Sequence, residues 1–277
     1  MTVGEKLQVR FWGVRGSIPT ADSGAMRYGG NTSCVEIRYG NQPPLIFDAG
    51  SGVRRLGQHW LNTPDEFPTE VHLLFSHFHW DHIQGVPFFA PLYNAASDIQ
   101  FSSSLDTGQL RLILENQMRA PYFPVNLSAV QARTEFCQVE EHGFALGDLV
   151  ITPFPLRHPG GATGYRIQSP SACIVYASDH EHGDDVYDGI LRRNAREADI
   201  LIYDAQYTPE EYKGRVGWGH STWEAGIRTA ADAGVKQLLL FHHDPDRTDN
   251  ALDELVHRAG TQFENTAGAR EGLVVSV

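Results

Sequence analysis

Cysteine is scarce in this chain, and basic residues are outnumbered. Cys34, Cys137 and Cys173 are odd in number and far apart, which excludes a disulfide framework or a thiolate zinc knuckle and leaves them as buried apolar filler. Lys and Arg total 22 against 34 Asp and Glu, a formal charge of -12 at pH 7. Long nucleic acids and anionic lipid want a basic surface, so neither is expected as a partner, whereas a small anion held by metal is allowed. No apolar run approaches bilayer-spanning length, and residues 1–10 carry charges where a secretion signal would carry an apolar core. A cytoplasmic protein that avoids membranes is expected. At 41% hydrophobic and 20% charged over 277 residues, the chain can bury a sizeable core, and nothing demands more than one domain over 1–277.

Histidine, by contrast, is plentiful, and the stretch Ser76-His77-Phe78-His79-Trp80-Asp81-His82 concentrates it. It follows the apolar run 71–75, so it begins where a buried strand ends. Side chains in extended chain alternate faces, which aims His77 and His79 at one point, where two imidazoles can grip a metal ion. Asp81 and His82 follow where the chain can turn into a helix, and they suggest a second ion. Imidazole and carboxylate without thiolate suit zinc, with manganese or iron as alternatives.

The rest of the chain repeats one theme. Residues 7–57 read as strands (7–12, 33–39 and 45–48) separated by Gly-rich turns, and Asp48 at a strand end is expected to hydrogen-bond a metal ligand or its loop. The Gly13-x-x-Gly16-Ser17 segment, with no helix after it, reads as turn chemistry. After the central motif, 83–93 starts like a helix and breaks at Pro87 and Pro91, and 108–118 is a plausible amphipathic helix. Phe88, and Tyr122 in the 121–126 loop, are candidates for a substrate pocket wall, with core packing the competing reading. Strand 149–156 delivers His158, strand 173–177 delivers Asp179, strand 200–203 delivers Asp204, and strand 236–241 delivers His242. Helices are expected at 184–198 and 249–259. Another follows Gly219-His220-Ser221-Thr222, with Ser221 and Glu224 as a capping box and Gly234 as the stop. His180, His182 and His243 exceed a plausible ligand count and are expected at the rim, while His59, His72, His142 and His257 read as satisfied or solvated.

With the central motif, His158, Asp179 and His242 in this order, the chain resembles the metallo-β-lactamase superfamily over nearly its whole length. The resemblance implies an α+β fold, the αββα sandwich, with a dinuclear metal site at one edge. It implies one ion on His77, His79 and His158, another on Asp81, His82 and His242, and Asp179 bridging. His79, where an iron-dependent oxidoreductase branch would carry Glu, favours a zinc hydrolase. Gly-His-Ser-Thr at 219–222 and Leu-Leu-Phe-His ending at 242 look like the phosphodiesterase branch that includes tRNase Z. The segments Phe-Trp-Gly-Val-Arg-Gly-Ser-Ile-Pro (11–19), Gly-Gly-Asn-Thr-Ser-Cys (29–34) and Asp-Ala-Gly-Ser-Gly (48–52) look like its phosphoribosyl cyclic phosphodiesterase and cyclic-nucleotide phosphodiesterase relatives. The departures are specific. His158 and Asp179 stand only 21 positions apart, which leaves no room for the tRNA-gripping arm, and Asp204 stands where tRNase Z has Glu.

The expected activity is therefore hydrolysis of a small cyclic phosphate or cyclic nucleotide, with two divalent ions, most suitably Zn2+ and alternatively Mn2+ or Fe. A metal-bridging hydroxide would attack phosphorus, Asp81 would take part through the second ion, and His220, oriented by Asp204, would protonate the leaving oxygen. The expected partner is a small anionic phosphodiester, and homodimerisation is compatible with the sequence. The competing readings are a lactonase or thioesterase of the same fold, a nuclease of short RNA, and a metal-binding protein without turnover.

Overall fold

A computed structural model describes residues 6–277. The first sheet takes β1 (Leu7–Gly13), β2 (Cys34–Tyr39), β3 (Leu45–Phe47), β4 (Glu70–Leu74), β5 (Asp98–Ser103) and β6 (Arg133–Gln138). The second takes β7 (Phe144–Leu146), β8 (Leu149–Leu156), β9 (Ala162–Gln168), β10 (Cys173–Ala177), β11 (Ile200–Asp204), β12 (Gln237–Phe241) and β13 (Thr266–Gly268). The chain ends in β14 (Val274–Ser276), which returns to the first sheet beside β1. The spatial orders are β14-β1-β2-β3-β4-β5-β6 and β13-β12-β11-β10-β9-β8-β7. Each sheet is antiparallel on one side and parallel on the other, the change falling at β3 in the first and β10 in the second.

The inner strands β3, β10, β11 and β12 are largely apolar on both faces because both faces are covered. In β10, Ile174 and Tyr176 point between the sheets, where they meet Phe11, Phe47, Tyr165 and Phe241. The alternate Cys173, Val175 and Ala177 face outward under α4 (Asp185–Ala195) and α6 (Trp223–Ala233), with α7 (Asp249–Gln262) alongside. On the other side, Ile46, Leu73 and Phe101 face α1 (Gly52–Asn62) and α3 (Thr107–Gln117) through Val53, Leu56, Trp60, Leu110 and Leu114. The layers are thus helix, sheet, sheet, helix, the expected αββα sandwich. Among the described residues no helix is long and apolar enough to cross a membrane.

Several boundaries differ from the expectation. Helix α1 lies partly where the sequence suggested only strands and turns. Its entry has no side-chain cap, and its glycines argue against a helix until the packing is seen. A Cβ on Gly57 would stand 2.9 Å from the Ala90 nitrogen, so the glycine serves close approach of the 3-10 turn at Ala90–Tyr93. The helix expected from residue 83 is instead the single turn α2 (Trp80–Ile83), after which 3-10 turns carry Pro87 and Pro91. Helix α6 is capped by Thr222, whose Oγ1 accepts from the Ala225 amide, and not by Ser221. Ser221 is fully buried and bonded instead to His182 and Tyr203, so its hydroxyl is unavailable as a cap. A short helix α5 (Pro209–Tyr212), with Thr208 and Glu211 as a capping box, was not foreseen.

Candidate metal centre

The C-terminal ends of the central strands all open on one edge, the usual place for a site in sheets of this type. Asp48 follows β3, His77 and His79 follow β4, His158 follows β8, Asp179 follows β10, Asp204 closes β11, and His242 follows β12. Asp48, Asp179 and His242 each take positive φ, 61°, 58° and 57°, conformations uncommon for residues other than glycine and found where surroundings over-determine the backbone.

The donor atoms form contiguous groups. Those of His77, His79 and His158 lie within 4.8 Å of one another, and so do those of Asp81, His82, Asp179 and His242. Asp179 stands between the groups: Oδ1 is 3.8 Å from Nε2 of both His77 and His158, while Oδ2 is 3.1 Å from His82 Nε2 and 3.4 Å from His242 Nε2. A third group adds His220 and Asp204 to Asp179 and His242.

The tautomers follow from the outer partners. His158 Nδ1 lies 2.8 Å from the Gly219 carbonyl, which can only accept, so Nδ1 carries the hydrogen. His82 Nδ1 donates in the same way to Asp48 Oδ2 at 2.8 Å, and His242 Nδ1 to Gln206 Oε1 at 3.0 Å. The Ser76 hydroxyl gives its one hydrogen to Asp48 Oδ2, which leaves His77 Nδ1 to donate to Ser76 Oγ at 3.0 Å. In each ring Nε2 is the nitrogen turned into the cluster. His77 Nε2 is buried there without a hydrogen-bond partner. His158 Nε2 approaches His79 Nδ1 at 3.0 Å, and His82 Nε2 approaches His242 Nε2 at 3.3 Å.

Asp48 is the hub of this outer layer. It accepts from the Ser76 amide, the Ser76 hydroxyl, the Tyr176 hydroxyl at 2.7 Å and His82. Asp81 Oδ2 accepts the Ser17 amide at 2.8 Å, which anchors the 14–31 loop to the cluster. Arg15, fully buried, fastens that loop by donating to the carbonyls of Gly29, Ala25, Asp244 and Arg247.

Burial, backed by neighbouring imidazoles, holds His77 well below the ordinary histidine range, and burial also lowers His158. Burial opposes charge on His82 and Asp179 as well, but there the surrounding carboxylates and imidazoles win, raising His82 and depressing Asp179. His220 is also buried, yet Asp204, whose Oδ2 lies 2.8 Å from Nδ1, pushes it up to about 9 with help from Asp179 and Asp81.

Every imidazole and carboxylate singled out at the strand ends is therefore brought to one edge. Phe88 and Tyr122 are not: both are exposed, Phe88 packs edge-on against Phe123, and neither touches the cluster by hydrogen bond or ring contact. His180 and His243 are not at the rim either. Each is buried, His180 bonded to Asp188 and His243 to the Ala269 carbonyl. His182 is tied to Ser221. Sequence reasoning missed Gln206, Ser76 and Glu181. Gln206 stands two positions past Asp204, where its backbone amide donates to Asp204 Oδ1 at 3.1 Å, and a polar residue just beyond a strand end was the available signal. Glu181 had none; it accepts the amides of Gly217 and Gly219 at 2.7 Å and so fixes the loop before His220.

This edge is that of a metallo-β-lactamase-type sandwich. Residues 45–243 match the family described as the Beta-lactamase superfamily domain, and the chain belongs to it. Among similar proteins, Ribonuclease Z of Synechococcus sp. (strain CC9311) is 26% identical, over 98% of this chain and 99% of its own length. Among solved structures, the metallo-beta-lactamase fold protein YhfI from Bacillus subtilis superposes with a TM-score of 0.74 at 20% identity, covering 99% of this chain and 100% of its own. A diphosphatase from the PhnP family superposes with a TM-score of 0.70 at 17% identity, covering 98% and 97%.

Proposed function

We propose that the protein is a hydrolase of small phosphodiesters, acting on a cyclic phosphate or cyclic nucleotide with two divalent metal ions, Zn2+ before Mn2+ or Fe. The observation that carries this reading is the pair of donor groups meeting at Asp179 beside a buried His220–Asp204 pair. The residues fit divalent ions. Imidazole nitrogens turned toward each other at 3.0 and 3.3 Å, and a buried Nε2 with no partner, are unfavourable unless a proton or a cation lies among them. His77, His79 and His158 would hold one ion and Asp81, His82 and His242 the other, with Asp179 shared. Bound there, the ions would lower the pKa of water and draw charge from a phosphoryl oxygen.

The chain's own groups do the rest. Asp48, Ser76, Gln206 and the Gly219 carbonyl hold the imidazoles in one tautomer and one orientation. Asp204 holds the hydrogen on His220 Nδ1, so Nε2 is the atom that gives a proton to the departing alkoxide, a leaving group too basic to go unaided. With both ions bound, two dications set against Asp81 and Asp179 would make the edge attractive to an anion within an acidic protein. Ribonuclease and diphosphatase, the names carried by two relatives, both denote cleavage at phosphorus, which supports a phosphoryl substrate. The ribonuclease name also favours short RNA as a second reading, although a charge of -12 opposes long chains.

The test is turnover of bis(p-nitrophenyl) phosphate, then of cyclic nucleotides, a phosphoribosyl cyclic phosphate and a short RNA, by protein loaded with Zn2+ or Mn2+, with His79→Ala as control. Metal-dependent turnover lost in the variant is expected. Inactivity on every phosphodiester, with two metals bound per chain and a lactone or thioester cleaved, would overturn the reading.

A further inference from the structure

Beside His77 and His79 lies an open cleft of about 1100 Å³. One side is formed by the residues that follow β5 and β6, the other by β8 and the turn into β9. Its walls mix apolar side chains, from Phe78, Leu105, Val139, Phe154 and neighbouring prolines, with the polar Ser104, Gln138, His142 and Thr163. Glu140 and Glu141 also line it, both exposed, and no Lys or Arg does. The cleft is continuous with the metal-type cluster and of a size that takes a small-molecule ligand.

Charge divides this space. An anion is drawn to the histidine end, whereas a second anion beside Glu140 and Glu141 meets two carboxylates with His142 and no Lys or Arg. We propose that the cleft receives the organic substituent of the phosphodiester, an uncharged group of nucleoside size, and that Glu140 and Glu141 select against substituents bearing a further phosphate. The inference rests on the phosphodiesterase reading and names its substrate class: diesters with a single phosphate, not chains of them.

The test compares thymidine 5′-(p-nitrophenyl phosphate) with the same compound carrying a 3′-phosphate. The metal-loaded protein should prefer the first in kcat/KM by roughly tenfold at low salt, the scale on which a pair of surface charges acts. The double variant Glu140→Gln/Glu141→Gln should narrow that ratio severalfold, chiefly through KM, and added salt should narrow it in the unmodified protein. Glu254→Gln/Glu264→Gln is the control for the same change of two in net charge; Glu254 sits on α7 and Glu264 just before β13, at the sheet edge opposite β7. Calorimetric binding of thymidine 5′-monophosphate against the 3′,5′-bisphosphate should give the same order. An unchanged ratio in Glu140→Gln/Glu141→Gln, or an equal change in Glu254→Gln/Glu264→Gln, overturns the inference. If neither ester is cleaved the phosphodiesterase reading fails, and the calorimetric ratio still judges the cleft by itself.

Discussion

His158 donates its Nδ1 hydrogen to the carbonyl of Gly219, 2.8 Å away, so a member of one donor group is held by the residue next to His220. The loop that presents the proposed acid therefore also sets the angle of a proposed ligand. Gly219 has a φ of 88°, and a Cβ there would stand 2.3 Å from His158 Nδ1. Gly219→Ala should strain the loop by about 1–3 kcal/mol and push the two histidines apart. We expect the variant to fold, bind less metal in the His77, His79 and His158 group, and lose at least about tenfold in turnover, in line with other outer-layer changes. Full metal content and turnover would show that the loop yields freely.

Removing His220 separates proton donation from the rest of the chemistry. His220→Ala should slow a diester with an alkoxide leaving group by about 10²–10⁴-fold. The same variant should slow bis(p-nitrophenyl) phosphate far less, since p-nitrophenolate leaves without a proton. Parallel losses on both substrates would remove His220 from the acid role.

Gln206 orients His242 through a 3.0 Å hydrogen bond and also donates to Ser17 Oγ at 3.2 Å, which joins it to the loop that anchors Asp81. Gln206→Ala frees the His242 ring to rotate and should weaken metal affinity about 10–100-fold. Gln206→Glu, which keeps an acceptor facing Nδ1, should recover most of that. Competition with a fluorescent chelator reads both variants, and equal affinity in Gln206→Ala and the unmodified protein would rule out the positioning role.

The strand-end residues were legible because they depend on short-range facts: an apolar run, alternation of side chains, then a polar residue. His77, His158, Asp179 and His242 all obey that rule, and the order of the motifs carried the resemblance that implied the sandwich. Residues whose meaning is set by partners far along the chain were not legible. Glu181 matters because Gly217 and Gly219 return to it, and His180 lies in the interior because Asp188 receives it. Helix α1 was hidden for a related reason, its glycines being required by neighbours that local sequence does not reveal. Ser221 fitted the local capping pattern, but the buried contacts with Tyr203 and His182 claimed its hydroxyl and moved the cap to Thr222.

Tyr176 gives the outer layer its link to the core between the sheets. Its hydroxyl donates to Asp48 Oδ2 at 2.7 Å while its ring packs on Phe47 and Phe241. Tyr176→Phe keeps the packing and removes one donor to a buried carboxylate, a loss of about 1.5–3 kcal/mol. Denaturant unfolding of the metal-free protein should report it as a lower midpoint with an unchanged slope. An unchanged midpoint would mean that water replaces the hydroxyl.

The carboxylates around His220 also predict how pH acts on the metal-free protein. Burial opposes the imidazolium, but Asp204 and its neighbours raise the pKa to about 9, against about 6.5 for an unperturbed histidine. A raised folded-state pKa contributes stability that is complete below about 6.5 and is lost as pH rises through about 9. His82, also raised, acts in the same direction. The melting temperature of chelated protein should therefore fall between pH 6.5 and 9, and His220→Gln should flatten part of that fall. Divalent ions compete with these protons for the same negative charge, so metal loading at pH 7 should release protons, seen as a buffer-dependent heat in calorimetry, and affinity should rise with pH. A melting temperature that climbs over the window, or loading without proton release, would mean that the cluster is not balanced by protons in the absence of metal.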